Sequence, residues 1–95
     1  MKDLYVFRNP LAAARALGTE TIVMNPEDST FFTLNAVGSI IWRNADGRST
    51  LGQIVDHAVC AEFDVTPARA LADAELFAAA LCRGGVLRSS PSPVV

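Results

Sequence analysis

The sequence predicts an α+β fold: a three-stranded antiparallel sheet, then three helices, then a short C-terminal extended segment. Two observations support this prediction. Up to residue 34, the apolar residues fall in short runs separated by Gly and Pro turns, which is typical of strands. From Asn35 onward they recur with a period of about 3.6, which is typical of amphipathic helices.

Three short segments are predicted as the strands of the sheet. Gly18 lies between the first two, and the sequence NPED between the second and third is a turn with Pro at its second position. Such short connections favour antiparallel neighbours. The segments are Ala13–Leu17, residues 21–25 and Thr30–Leu34.

Capping residues predict where the first two helices begin. Asn35 is a predicted N-cap, and the first helix is expected to end near Asn44, where the turn residues NADG follow. Gly47 in the turn after this helix is expected to adopt a positive φ. Thr50, with Gln53 three residues later, fits a capping box at the start of the second helix.

The third helix is predicted to be the longest. It begins at Thr66 and Pro67, which are typical N-cap and first-turn residues, and extends to Arg83. Gly84 and Gly85 are expected to end it, because glycine adopts positive φ readily. The residues predicted to face the core are Ala70, Ala74, Phe77, Ala78 and Leu81.

Two further segments look extended. Residues 4–7 are apolar, but Pro10 follows closely and their pairing partner is left open. Residues 86–87 come after the third helix and are expected to pair as a wing. This order of elements is winged helix-turn-helix-like.

Length and charge limit the classes of function. The 95 residues are expected to form one domain, residues 1–88, with residues 89–95 as a frayed tail. The net charge is −2 and the eight Lys and Arg residues are thinly spread, which argues against nucleic acid. No apolar run approaches the roughly 20 residues that cross a bilayer, which argues against a membrane partner. The N-terminus lacks a secretory signal, which predicts a cytoplasmic protein.

The residues that most often carry chemistry are few. Cys60 and Cys82 lack metal or redox spacing and are expected to stay reduced. His57 and Cys60 lie three apart, but two ligands do not make a site, so no metal and no cofactor are predicted. A thiol nucleophile with His57 as its base is the alternative, and we interpret His57 as a surface imidazole. Trp42 is interpreted as a core residue.

Five segments stand out by their order and spacing: GTETIVMNPED, FTLNAVGSIIW, DGRSTLGQIV, FDV and ADAELFAAALCRGGVL. Together they resemble the PqqD-like family, over roughly residues 14–87. The resemblance implies a non-catalytic recognition element or peptide chaperone that binds the leader of a ribosomally synthesised precursor peptide. It also implies delivery of that precursor to a modifying enzyme, such as a radical SAM protein or a maturation protease, in the biosynthesis of coenzyme PQQ or another modified peptide.

The resemblance further implies that the leader adds as a strand to the sheet edge and lies along the third helix. The last strand fits this role because Phe32 and Leu34 face one side while Phe31 faces the other. Pockets are expected between Phe31 and the third helix, and the alternative is that residues 4–7 cover Phe31. The predicted strand contacts are Thr30, Phe31, Phe32, Thr33 and Leu34. The predicted helix contacts are Arg69, Ala72, Asp73, Leu76, Ala79, Ala80 and Arg83.

Other roles for these residues stay open at this point. Asp73 is suitably spaced to pair with Arg69 on the helix surface. A winged-helix DNA-binding regulator would use the third helix in the major groove, although Arg69 and Arg83 are its only cations and Asp73 and Glu75 oppose them. A third hypothesis is a structural subunit that forms a homodimer through the same sheet edge.

Overall fold

The computed structural model describes residues 1–94 and contains two three-stranded antiparallel sheets packed with helices. The strands are β1 (Tyr5–Arg8), β2 (Ala13–Leu17), β3 (Glu20–Asn25), β4 (Thr30–Leu34), β5 (Asp46–Thr50) and β6 (Leu87–Ser90). The helices are α1 (Ala36–Asn44), α2 (Leu51–Ile54), α3 (Cys60–Glu62) and α4 (Pro67–Arg83), and a π-helical segment (Val55–Val59) joins α2 to α3.

The predicted three-stranded sheet is confirmed, in the order β2-β3-β4. β3 pairs with β2 from Leu17↔Glu20 onward and with β4 through five consecutive residue pairs. Gly18, with φ +64°, makes the tight turn between β2 and β3. The turn between β3 and β4 is stabilised by Asn25, whose Oδ1 accepts the Glu27 N–H at 3.0 Å.

A second sheet, β5-β1-β6, was not predicted. Tyr5 in β1 pairs with Thr50 in β5 on one side and with Ser90 in β6 on the other. The segment predicted as a turn after α1 is therefore a strand, although Gly47 in it has the expected positive φ, +81°. Short-range patterns did not reveal this sheet because the residues that pair with β1 lie 39 or more positions away along the chain.

The C-terminal segment is more ordered than expected. Residues 86–87 were predicted to pair as a wing, and β6 does pair with β1. Ser89 and Ser90, which we had placed in a frayed tail, belong to β6. The Val94 N–H donates to the Gly47 carbonyl at 2.8 Å, so the tail docks on the second sheet. Val95, also placed in the tail, lies outside the described residues.

The predicted caps of the first two helical regions are confirmed. The Asn35 side chain accepts the Gly38 N–H at 2.9 Å, and α1 ends at Asn44. Thr50 and Gln53 form the reciprocal capping box that starts α2. The π-helical segment was not predicted, since its apolar spacing differs little from that of an α-helix.

The long helix α4 begins at Pro67 and ends at Arg83, as predicted. Thr66 precedes it in an extended conformation, but its side chain makes no capping hydrogen bond within the described residues. Of the two glycines expected to take positive φ, Gly85 does so at +77°, whereas Gly84 is αR at −77°. None of the helices within residues 1–94 is long and apolar enough to cross a membrane.

The two sheets share one core with the helices. Val6 from β1 and Val23 from β3 are both fully buried, and they belong to the same apolar cluster as Ile41 and Leu51. Trp42 is 5% exposed, which confirms its interpretation as a core residue. The predicted core face of α4 is also confirmed, with four of its members buried and Phe77 half-buried against them.

Two Asn-Pro dipeptides attach the end of α4 to both sheets. Asn9 and Asn25 are each 6% exposed, and each side-chain oxygen accepts a backbone N–H two residues later. Their Nδ2 groups donate at 2.9 Å to consecutive carbonyls, Asn9 to Gly85 and Asn25 to Gly84. Because amide groups at such buried positions need partners, this pair of bonds fixes where α4 ends.

A buried hydroxyl pair joins α1 to the β2-β3-β4 sheet. The Thr21 hydroxyl donates to Ser39 Oγ at 2.8 Å, and Ser39 Oγ donates to the Leu34 carbonyl at 3.3 Å. Ser39 is fully buried, so these groups have no access to water.

We expect Ser39→Ala to lower the free energy of unfolding by about 1 to 3 kcal/mol, because it leaves the buried Thr21 hydroxyl without its partner. Urea denaturation followed by far-UV circular dichroism measures this loss. In the double variant Thr21→Val/Ser39→Ala, both hydroxyls are absent, and part of the stability should return. A double variant less stable than the sum of the two single changes would contradict the assignment.

Candidate functional site

The free edge of β4 is the starting point of the candidate site. β4 pairs with β3, and within residues 1–94 no strand pairs with its other edge. An unpaired strand edge presents backbone donors and acceptors to a second chain. Residues 4–7, considered above as a cover for this region, contribute instead to β1 in the other sheet.

Local side-chain hydrogen bonds occupy backbone groups at both ends of β4. The Thr30 N–H donates to Asp28 Oδ1 at 3.0 Å, and the Leu34 carbonyl accepts the Ser39 hydroxyl. Bonds from Thr30 also hold the pKa of the Asp28 carboxyl below its usual value. Hydrogen-bonded and non-hydrogen-bonded pairs alternate along an antiparallel ladder. Leu17 and Glu20 flank a two-residue loop and bond to each other, so the backbone groups of Ile22 and Met24 point toward β2. Their partners in β4, Thr33 and Phe31, therefore have the N–H and C=O groups that point away from β3.

The two faces of β4 have different surroundings. Leu34 is 3% exposed and belongs to the core, and Phe32 on the same face packs against it. The Phe32 ring lies directly against Gly84 at the end of α4, where a Cβ would collide with it. Phe32 thus closes one end of the space between β4 and α4.

Phe31 lies on the opposite face of the sheet, and the expected pocket between Phe31 and the third helix is wrong. Its side chain is 64% exposed and borders a shallow cleft of about 310 Å³ with Ile22 and Met24 from β3. Successive strand residues alternate in direction, so only Phe32 of the two can face α4. Phe31 is also not covered by residues 4–7, since these pair in the other sheet.

One row of α4 extends from the start of α1 to the Phe32 ring of β4. Phe77 touches the start of α1, where a Cβ on Gly38 would lie 2.7 Å from Phe77 Cε1. Asp73, one turn earlier, lines a pocket of about 170 Å³ with Phe77 and Asn35. Helical spacing places Ala80 on the same row, between Phe77 and Gly84. We call the space between this row and β4 the β4–α4 groove.

The sequence-predicted helix residues occupy three positions around α4: on the groove row, beside it, and turned away from it. Asp73 and Ala80 lie on the groove row, and Arg69 and Leu76 lie beside it at the solvent side, where Leu76 is 74% exposed. The others are turned by more than about 100° from Phe77, so the structure does not bring them to β4. They are Ala72, Ala79 and Arg83.

The charged residues of α4 are arranged differently from expectation. Arg69 and Asp73 do not form an ion pair in the part of the chain that the structure describes. The ion pair on this helix joins Glu75 to the Met1 ammonium group at 3.2 Å. The Asp73 carboxylate, which borders the small pocket, therefore has no ion-pair partner within residues 1–94.

The site offers binding surfaces and few reactive groups. Burial raises the pKa of the Cys82 thiol, which favours its unreactive protonated form. His57 is exposed in the π-helical segment, away from the groove row. Across residues 1–94, no three His, Cys, Asp or Glu residues cluster in a way that would hold a metal ion.

Sequence reasoning missed three residues that shape the groove. Phe77 was assigned to the core and Gly84 to the helix end, yet both border the groove. Val37 lines the same small pocket and was read only as part of the apolar stripe of α1. A glycine one turn after Ala80 was the available signal, since glycine often marks a close approach of another group.

Comparisons with known proteins concern the same elements. The family model for coenzyme PQQ synthesis protein D (PqqD) matches residues 20–87, which include β3, β4, α1 and α4. A solved structure described as TbiB1 in complex with the TbiA(beta) leader peptide is similar, with a TM-score of 0.76 and 28% sequence identity. The similarity covers 86% of this chain and 94% of that chain. No curated protein sequence matches the chain. The DNA-binding alternative gains no support from these matches.

We expect Gly84→Ala to lower the free energy of unfolding by about 1 to 3 kcal/mol, because the added Cβ displaces the Phe32 ring. The backbone at Gly84 is αR, so alanine introduces no backbone strain of its own. Thermal and urea denaturation measure the loss. The same substitution in a Phe32→Leu background should cost less, and an equal cost in both backgrounds would contradict this contact.

Proposed function

This chain belongs to the PqqD family, and from that membership and the free edge of β4 we propose that it binds the leader region of a ribosomally synthesised precursor peptide. The single observation that carries the proposal is the unpaired edge of β4, a strand that packs on the end of α4 through Phe32 and Gly84. A similar structure, TbiB1, is described in complex with a leader peptide.

Backbone hydrogen bonds supply the first part of the proposed interaction. An extended leader segment adds as a strand next to β4 and bonds to the outward N–H and C=O groups of Phe31 and Thr33. Each such bond contributes about 0.5 to 1.5 kcal/mol net, whatever the leader side chains are. Strand addition therefore gives affinity that tolerates variation in the leader sequence.

Side chains supply the selectivity. Leader residues alternate between the two faces of the extended sheet, as the residues of β4 do. On one face they enter the β4–α4 groove beside Phe77 and Ala80. On the other face they lie beside Phe31, whose exposed ring provides a cross-strand neighbour. Asp73 at the mouth of the groove favours a leader with a basic residue at that point.

The proposed role is delivery and not catalysis. The two sheets and their helices, including all of β6, act as one recognition domain that holds the leader, so the attached core peptide stays close to a modifying enzyme in the cytoplasm. Tethering of this kind gives effective concentrations of about millimolar without changing the chemistry. The enzyme is a radical SAM protein or a maturation protease, and the product is coenzyme PQQ or another modified peptide.

Fluorescence anisotropy of a labelled precursor peptide encoded beside this chain's gene tests the proposal directly. Saturable binding by the leader part alone, and none by the core part alone, is the expected result. The absence of saturable binding up to high micromolar protein would overturn it. If sedimentation shows a homodimer that the leader does not dissociate, and the leader does not bind, the β4 edge serves self-association instead.

We expect Ala80→Glu to weaken leader binding about tenfold or more, because a long charged side chain fills the groove and its burial is unfavourable. Ala80 is exposed, so the fold should tolerate the change. Ala68→Glu is the matched control, since Ala68 is exposed on the opposite side of the same helix. Equal losses in the two variants would show that the leader does not lie in the groove.

We expect Phe31→Ala to weaken leader binding about three- to tenfold, because a partly exposed ring loses apolar contact with the added strand. Leu17→Ala on β2 is the control, since Leu17 is an exposed apolar residue at the other edge of the same sheet. Titration of both variants with the labelled leader measures the effect. Unchanged affinity in Phe31→Ala would remove the outer face of β4 from the site.

A further inference from the structure

A second cleft lies away from β4. It has a volume of about 700 Å³ and lies between β2 and the β5-β1-β6 sheet, next to the C-terminal end of α1. Phe7, Ala14 and Trp42 contribute apolar surface to it. β2 and β4 are opposite edges of one sheet, about 10 Å apart across β3, so this cleft and the β4 edge lie on different sides of that sheet's central strand.

Positive charge is concentrated in this cleft. Three of the chain's eight Lys and Arg residues line it, Arg8, Arg43 and Arg88, whereas only Asp46 does so among the ten Asp and Glu residues. In a chain with a net charge of −2, the cleft therefore has the opposite sign to the molecule as a whole. None of the three guanidinium groups forms an ion pair within residues 1–94.

Arg8 is held in a fixed orientation. Its Nη1 donates to the carbonyls of Trp42 and Arg43, both at 2.9 Å, at the end of α1. These two bonds use both hydrogens of Nη1 and leave the edge formed by Nε and Nη2 available. That edge has the geometry that binds a carboxylate through two parallel hydrogen bonds.

The wall of the cleft at β2 is unusually open. All five residues of β2 are exposed, and within the described residues its outer edge is unpaired. Ala14 pairs with the fully buried Val23 and so faces inward, yet it remains exposed because the cleft lies beneath it. An extended segment would find apolar surface on one side and guanidinium groups on the other.

We propose that this cleft binds an extended, acidic segment of the modifying enzyme, with carboxylates on Arg8, Arg43 and Arg88 and apolar side chains on Phe7 and Trp42. The choice of the enzyme as the source of the segment rests on the proposed function. Binding at β2 leaves the β4 edge free, so leader and enzyme bind to opposite edges of the same sheet at once.

Emission of Trp42, the one tryptophan of the chain, reports on the cleft. The probe is a blocked hexapeptide of alternating Glu and Val, and its reference is the same peptide with Lys for Glu. A saturable change with the Glu peptide alone is expected. Its affinity should fall about tenfold or more between about 0.05 M and about 0.5 M salt, because screening weakens carboxylate contacts.

The double variant Arg43→Glu/Arg88→Glu should lower the affinity for the Glu peptide about tenfold or more, and it should leave leader binding, measured by anisotropy, unchanged. Both residues are exposed, which spares the fold. Lys2→Glu/Arg48→Glu is the control, because it makes the same change of charge outside the cleft. Its affinity for the Glu peptide should stay within about twofold of that of the unchanged protein. Equal binding of the Glu and Lys peptides, or equal losses in the two double variants, would overturn the proposal.

Other occupants give different results. If the leader alone competes with the Glu peptide, the cleft binds the leader. If the protein is a dimer that Arg43→Glu/Arg88→Glu dissociates, the cleft binds a second copy of the chain. Either outcome would overturn the proposal that the cleft binds a segment of the enzyme. If the leader binds and the Glu peptide does not, this inference is overturned and the proposed function is not. If the Glu peptide binds and the leader does not, the proposed function is overturned. The choice of the enzyme as the source of the acidic segment is then overturned with it.

Discussion

The two-sided pairing of β1 determines which strand edges of the molecule stay open. β1 pairs with β5 on one side and with β6 on the other, so both of its edges are occupied within one sheet. The N-terminal strand is therefore not available to cover β2 or β4, and the β2-β3-β4 sheet keeps both of its edges. A protein of this size usually shields such edges to avoid uncontrolled association. Retaining them is consistent with strand addition as the basis of its function.

The same core supports both sheets, and the polar contacts across it are few and fully used. Every buried side-chain nitrogen and oxygen within residues 1–94 has a hydrogen-bond partner. Asn9 directly follows β1 and Asn25 is the last residue of β3, and each donates a hydrogen bond to one carbonyl of the Gly84–Gly85 pair. Because the two asparagines come from different sheets, the end of α4 is positioned relative to both at once.

Local features of the fold could be predicted from the sequence, because their causes lie within a few residues. The Asn35 cap and the Thr50–Gln53 capping box are side-chain bonds that span three residues. The contacts that were missed join distant parts of the chain. Asn25 and Gly84 are 59 residues apart and Asn9 and Gly85 are 76 apart, and no periodicity in one sequence connects them.

The candidate site shows the same division. Alternation along β4 correctly placed Phe31 and Phe32 on opposite faces, but it did not say which face α4 covers. Helical spacing separated the core face of α4 from its exposed face, yet could not tell which exposed residues lie near β4. That information depends on how α4 packs, which is set by Phe77 against Gly38 and by Phe32 against Gly84.

The hydrogen bonds from Asn9 and Asn25 to the end of α4 also make the space beside β4 narrower at one end than at the other. At the Gly84 end, α4 is fixed by Asn25 and the Phe32 ring fills the gap. At the other end, where β4 runs into Asn35, a pocket of about 170 Å³ remains open next to Asp73. The space beside β4 is therefore wider near Asn35 than near Phe32, so a strand added at this edge would fit differently in its two possible directions.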